Sequence, residues 1–271
     1  MADVQSGLFS RYRRYVKKKI LVSAGGLRPS ALLGRYNGAK VLINSIPKAG
    51  THLVEAILDL APRLRNGGAR TLSCWDTLDK ACERGIRQIR HGQFKTGHLP
   101  GIEPVVNAVM EESLSVIFVI RDPRDIVVSR YHYIRDIDHT HAANSLFSGL
   151  SNADALRLSI IGRKPDFASI GELLKAFEPW LDFPGLQVRF EDVSPRNVDR
   201  ASLEQQIGRI CRFLKISDAR RGDMATRLLT KTTSTLRKGQ ARQWTKEFTD
   251  EHLDLFHSEV PESLLKKYGY N

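Results

Sequence analysis

Lys48, Gly50 and Thr51 fall within one short segment, Ile46-Pro-Lys-Ala-Gly-Thr-His-Leu53. A glycine there lets backbone N–H groups converge on an anion, the lysine adds a point charge and the threonine a hydroxyl. A second set follows Val119-Ile120, where Arg121 offers a planar donor fork suited to phosphate and Ser129 lies further along. The third candidate is His98 in Phe94-Lys-Thr-Gly-His-Leu-Pro100. Imidazole can take a proton at neutral pH, so the three sets together suit an anionic ligand beside a general base. Taken singly, each has a plainer reading: an ordinary strand-to-helix turn, a locally paired arginine, a solvated serine, a hydrogen-bonded histidine at a strand end.

The elements around these residues follow from hydrophobic spacing. Val41 to Ile46 reads as a buried strand, Ala49-Gly50 as a turn, and from Thr51 onward Leu53, Val54, Ile57, Leu58 and Ala61 recur at helical intervals. Leu114 to Ile120 is the clearest strand, and Asp122-Pro123 supplies a helix N-cap with proline at the first helical position. On that helix Ile126, Val127, Tyr131 and Ile134 form an apolar stripe, while Asp125, Ser129, His132 and Asp136 form a polar face expected to look toward the ligand. Leu186 to Phe190 reads as a further strand.

Continuous apolar strands alternating with helices predict a single α/β domain with a central parallel sheet flanked by helices. Ligands in such folds sit beyond the C-terminal strand ends. The segments after Ile46, Ile120 and Phe190 are therefore predicted to line one site. The stretch from Asp138 to Asp166 shows no strong element signal and is read as an acceptor-side lid.

At this point the motifs themselves resemble a known family. Pro-Lys-Ala-Gly-Thr resembles the 5′-phosphosulfate loop of sulfotransferases that use 3′-phosphoadenosine 5′-phosphosulfate, and Arg121 to Ser129 resembles their 3′-phosphate motif. Lys-Thr-Gly-His-Leu-Pro resembles the segment carrying their catalytic histidine, here with Gly97 as an extra residue. Arg189-Phe-Glu-Asp-Val193 and Arg237-Lys-Gly-Gln-Ala-Arg-Gln-Trp244 resemble two later segments. The resemblance runs in order from about residue 40 to 270. It implies a nucleotide-kinase-like three-layer domain over residues 39–271, following a basic N-terminal segment over 1–38. It further implies that Lys48, Ala49, Gly50, Thr51 and His52 hold the 5′-phosphate, and that Arg121, Ser129, Arg237, Lys238 and Gly239 hold the 3′-phosphate. Phe190 would neighbour the adenine, His98 would be the base and Lys48 would neutralise the departing phosphate. No metal is called for. His52 and His132 are the substitute bases should Gly97 redirect the ring.

The acceptor is a hydroxyl, read as one on a carbohydrate or glycolipid from the polar 138–166 stretch and the basic N-terminus. The rivals are weaker. A nucleotide P-loop needs its lysine after the second glycine, whereas Lys48 precedes Gly50. A nucleic-acid-binding protein would suit the net charge of +12, but no zinc-finger, RRM-like or basic-zipper pattern is present. Cys74, Cys82 and Cys211 are odd in number and lack metal spacing, so a reducing, cytoplasmic setting is expected. The basic run Arg11 to Lys19 reads as a solvated face, with peripheral contact to anionic lipid as the alternative.

Overall fold

β1 (Lys40–Ser45) has an all-buried core because it is covered on both faces: Val41 and Ile43 enter one hydrophobic cluster and Leu42 the other. The computed structural model describes residues 38–68, 70–230 and 239–271. The basic run Arg11 to Lys19 and the pair Arg237-Lys238 lie outside the described residues.

In chain order, β1 is followed by α1 (Thr51–Leu60), β2 (Arg65–Asn66), β3 (Leu72–Ser73), α2 (Lys80–Arg87), β4 (Gln93–His98), α3 (Glu103–Glu111) and β5 (Ser115–Ile120). Then come α4 (Pro123–His132), continued by a π-helical turn at Tyr133–Ile137, α5 (Asn144–Phe147), α6 (Asn152–Ile161), α7 (Ile170–Phe177) and α8 (Pro179–Asp182). β6 (Leu186–Arg189) leads into α9 (Phe190–Val193), α10 (Arg200–Phe213), α11 (Arg221–Thr230), α12 (Trp244–Glu247), α13 (Asp250–Glu259) and α14 (Glu262–Lys267).

The strands pair in the order β2-β4-β1-β5-β6, with β3 beside β4, and the pairings among these strands are all parallel. β5 repeats the logic of β1, with Ile117 and Val119 on one face and Val116, Phe118 and Ile120 on the other. Two-sided burial is why these strands read as unbroken apolar runs. The predicted α/β architecture is thus the observed one.

The stretch from 138 to 166 departs from the expectation of an element-free lid. It contains α5 and α6, and Phe147, Ala155, Leu156 and Ile160 belong to the core. Ser151 caps α6 by accepting from the Asp154 amide, and Ser159 donates to the main chain of Val127 at 2.9 Å. A cap followed by apolar residues at helical spacing was present in the sequence. The surrounding Asn, Ser and His residues masked it.

Candidate active site

The anion turn is built by two left-handed residues. Lys48 has φ 76° and Gly50, the N-cap of α1, has φ 104°. Gly50 is required twice over, because a Cβ there would also lie 2.4 Å from Phe190 Cδ2. α1 has no acidic residue in its first turn, so its N-terminal amides and positive dipole end face the turn without a competing carboxylate. Thr51 is buried, and its hydroxyl hydrogen-bonds the Ser45 hydroxyl. His52 points outward, with its side chain 61% exposed and Nδ1 2.8 Å from Glu55.

Two cations converge on this turn. Lys48 Nζ rests 3.7 Å from the centre of the Tyr133 ring. Burial, and then the neighbouring Arg121, lower its pKa to about 8. Arg121, at the end of β5, is only 8% exposed. Its Nη1 donates to the Lys48 carbonyl (3.2 Å), its Nη2 lies 3.5 Å from the Gln240 carbonyl and 3.7 Å from Asp125 Oδ2, and its guanidinium lies over Phe190. Nε remains buried and without a partner among the described residues. Arg121 thus fastens the turn to the C-terminal loop while keeping one donor unspent. Burial lowers its pKa, although Asp125 opposes that shift.

His98 closes the other side. Gly97 does not bulge out of β4: it pairs with Asn44 of β1 and Leu72 of β3 in regular register. The His98 ring is held by a 2.9 Å hydrogen bond from Nδ1 to the Ser45 carbonyl, with the Ser45 hydroxyl 3.4 Å away. A carbonyl only accepts, so Nδ1 carries the proton and Nε2 keeps its lone pair. Burial, together with the fields of His52 and Lys48, lowers the pKa to about 4. The next residue is clamped as well: Asn44 Nδ2 donates to the Leu99 carbonyl and Asn44 Oδ1 accepts from the Leu99 amide, both at 2.9 Å. Trp180 Nε1 donates to the same carbonyl at 2.8 Å.

The polar face expected on α4 is divided. Asp125 is fully buried and accepts from the amides of Arg242 (2.8 Å) and Trp244 (3.0 Å), so it anchors the C-terminal loop. His132 is held between Asp136 (2.7 Å) and Glu247 (2.9 Å), with both ring nitrogens engaged. Both side chains are engaged by protein partners, and His132 is a cross-brace between α4 and α12. Ser129 is half-buried and makes no side-chain hydrogen bond among the described residues. Gly239 (φ 61°) is tied by its carbonyl to the Ser194 hydroxyl at 2.5 Å, which lays this loop beside the end of β6. Phe190, 2% exposed, lies under Gly50 and Arg121 as a platform for both.

The model of the sulfotransferase domain matches residues 39–269, nearly the whole chain. The chain belongs to the sulfotransferase family. The crystal structure of mouse sulfotransferase SULT7A1 complexed with PAP is similar in fold, with a TM-score of 0.59 at 20% identity over 87% of this chain and 89% of that one. A search of curated proteins finds no significant match.

The geometry of this sulfotransferase also names residues that motif reading passed over. Ser45 orients His98, Asn44 clamps the residue after it, and Tyr133 and Asp138 lie beside Lys48. Asn and Ser closing an otherwise apolar strand were a readable signal. The other contacts span distant elements and were not. Among the described residues no group of three or more His, Cys, Asp or Glu could hold a metal, and no helix is long and apolar enough to cross a membrane.

Proposed function

We propose that the protein transfers a sulfuryl group from 3′-phosphoadenosine 5′-phosphosulfate to an acceptor hydroxyl at the site between Lys48 and His98. One observation carries this reading: the anion turn and the histidine hang on the same strand end, with Ser45 hydrogen-bonded to His98 and to Thr51. The unspent Nε of Arg121 and the depressed pKa of Lys48 fit an anion, which would relieve both.

In this scheme the acceptor oxygen attacks sulfur, the bond between sulfur and the bridging oxygen breaks, and adenosine 3′,5′-bisphosphate departs. The acceptor proton goes to Nε2 of His98, whose tautomer is fixed by Ser45. The donor's charge, placed beside His98, raises the basicity that burial, His52 and Lys48 depress. Lys48, the turn amides and Thr51 face the 5′-phosphate and stabilise the charge that collects there. The side chains of Ala49 and His52 point away from this role, so these two residues contribute main-chain groups. Arg121, Ser129, Gly239, Arg237 and Lys238 are assigned to the 3′-phosphate, the last two on their sequence motif alone. Phe190 supports the turn from below, and its burial argues for that role over stacking on adenine.

For the acceptor we favour a carbohydrate or glycolipid hydroxyl. Asp138 lies in the field of Lys48, and the residues after it, His139, Thr140 and His141, are exposed and polar. Sugars suit such a rim better than a steroid does. Peripheral contact of Arg11 to Lys19 with anionic lipid, in a cytoplasmic setting, completes the reading. The test is incubation with the sulfur-labelled donor and a panel of saccharides, glycolipids, phenols and steroids. Label on a saccharide or glycolipid supports the proposal. Label only on phenols or steroids overturns the acceptor class. No transfer, together with magnesium-dependent ATP turnover, overturns the reaction.

A further inference from the structure

Lys48 has no carboxylate within salt-bridge distance among the described residues, yet its ammonium is not loose: it sits 3.7 Å over the Tyr133 ring. Tyr133 is itself fixed. Its hydroxyl donates to Asp138 Oδ2 at 2.9 Å, and its carbonyl accepts from the Asp138 amide at 2.7 Å. Asp138 is buried, and its other oxygen receives the amide (3.1 Å) and hydroxyl (2.9 Å) of Thr140. Tyr133 opens the π-helical turn that ends α4, a wide turn of the kind that re-aims side chains at functional sites.

Resting on the proposed function above, we infer that Tyr133, braced by Asp138, is a positioning residue that seats the Lys48 ammonium at the mouth of the anion turn until the donor takes it. An aromatic face attracts a cation without contributing a full negative charge. A carboxylate in direct contact would compete with the donor phosphate for the same ammonium. The ring holds Lys48 in place and can release it, while Asp138, one group further back, keeps the field favourable to the charged form.

The charged groups facing Lys48 come from several elements. Arg121 at the end of β5 pushes its proton off, Asp138 after the π-helical turn retains it, and His98 at the end of β4 shares the field. His52 on α1 acts on His98 from the same side.

The seat is tested without an acceptor. The Lys48 ammonium is titrated by NMR in the ligand-free full chain, and adenosine 3′,5′-bisphosphate affinity is measured by calorimetry from pH 6.5 to 9.5. The proteins compared are wild type, Tyr133→Leu, Tyr133→Phe and Asp138→Asn. In wild type the lysine midpoint should lie at about 8, and affinity should begin to fall above it. Tyr133→Leu and Asp138→Asn should move both downward by about half to one pH unit, whereas Tyr133→Phe, which keeps the ring face and loses only the brace to Asp138, should shift by less than Tyr133→Leu. A wild-type midpoint in Tyr133→Leu, or an equal shift in Tyr133→Phe, overturns the seat. Should Tyr133→Leu fail to fold, an unshifted Asp138→Asn overturns it instead. If wild type binds no bisphosphate at any pH, the proposed function falls, and the ligand-free titration still decides on Tyr133.

Discussion

Nδ1 of His98 lies 2.9 Å from the main-chain oxygen of Ser45, the last residue of β1. Because that oxygen can only accept, one hydrogen bond fixes the tautomer, leaves the lone pair on Nε2, and ties the base to the strand whose next residues form the anion turn. The consequences of this attachment are testable.

His98→Gln should lower sulfuryl transfer by about a hundredfold to ten-thousandfold, the usual loss on removing a general base. Affinity for adenosine 3′,5′-bisphosphate should stay near wild type, because the ring serves the acceptor. Single-turnover kinetics and calorimetry separate the two. Near-normal turnover would remove His98 as the base, and His52, with its side chain largely exposed and paired to Glu55, would be examined next.

Asn44→Leu keeps the side-chain volume but strips two hydrogen bonds from Leu99, the residue after His98. Leaving a buried amide unpaired costs about 1–3 kcal/mol, so the melting temperature should fall. Turnover should fall more than donor-product affinity does, since Asn44 positions the base and not the turn. An equal loss of both would show that Asn44 serves the sheet alone.

Lys48→Met should raise the stability of the ligand-free protein while removing donor affinity. Burial lowers the Lys48 pKa from its ordinary 10.5 to about 8, so between these values the unfolded chain binds more protons than the folded one. Stability then rises with pH through that window, and at pH 7 the buried charge is a net cost on the order of 1–3 kcal/mol. A denaturant melt at pH 7 checks the sign. A less stable Lys48→Met would mean that the ring contact outweighs the burial penalty.

The acid side carries the converse window. His98 drops from 6.5 to about 4 on folding, so its stabilising contribution is fully present above about pH 6.5 and is lost as pH falls toward 4. Denaturant melts between pH 7 and pH 4 should show a shallower acid loss in His98→Gln than in wild type. Parallel curves would contradict a neutral, half-buried imidazole in the folded chain.

Much of this arrangement was legible beforehand because strand ends and loop motifs are local. β1, β5 and their following helices announced themselves by spacing, and Asp122-Pro123 caps and opens α4 as expected, the Asp122 carboxylate accepting from the Arg124 amide. The α4 polar face was misread because Asp125 and His132 find their partners on α12 and the loop before it, more than a hundred residues away. Helical periodicity reports which residues share a face and not what that face meets. The place of Gly97 was not legible in the motif for a related reason: its position in the ladder depends on Asn44 and Leu72, in two other strands.

The most direct measurement is calorimetric titration of the full chain with adenosine 3′,5′-bisphosphate, ADP and ATP under identical conditions, repeated on Gly50→Ala. The bisphosphate should bind at least about tenfold more tightly than ADP or ATP, because only it presents a phosphate to each end of the site; a single charge-assisted contact suffices for that factor. In Gly50→Ala the affinity for all three should fall, since a residue with φ 104° and a Cβ 2.4 Å from Phe190 cannot keep the 5′-phosphate turn in shape. Equal binding of all three nucleotides by the wild-type protein, or an unchanged bisphosphate affinity in Gly50→Ala, would contradict a donor site that spans the Lys48 turn and a second phosphate.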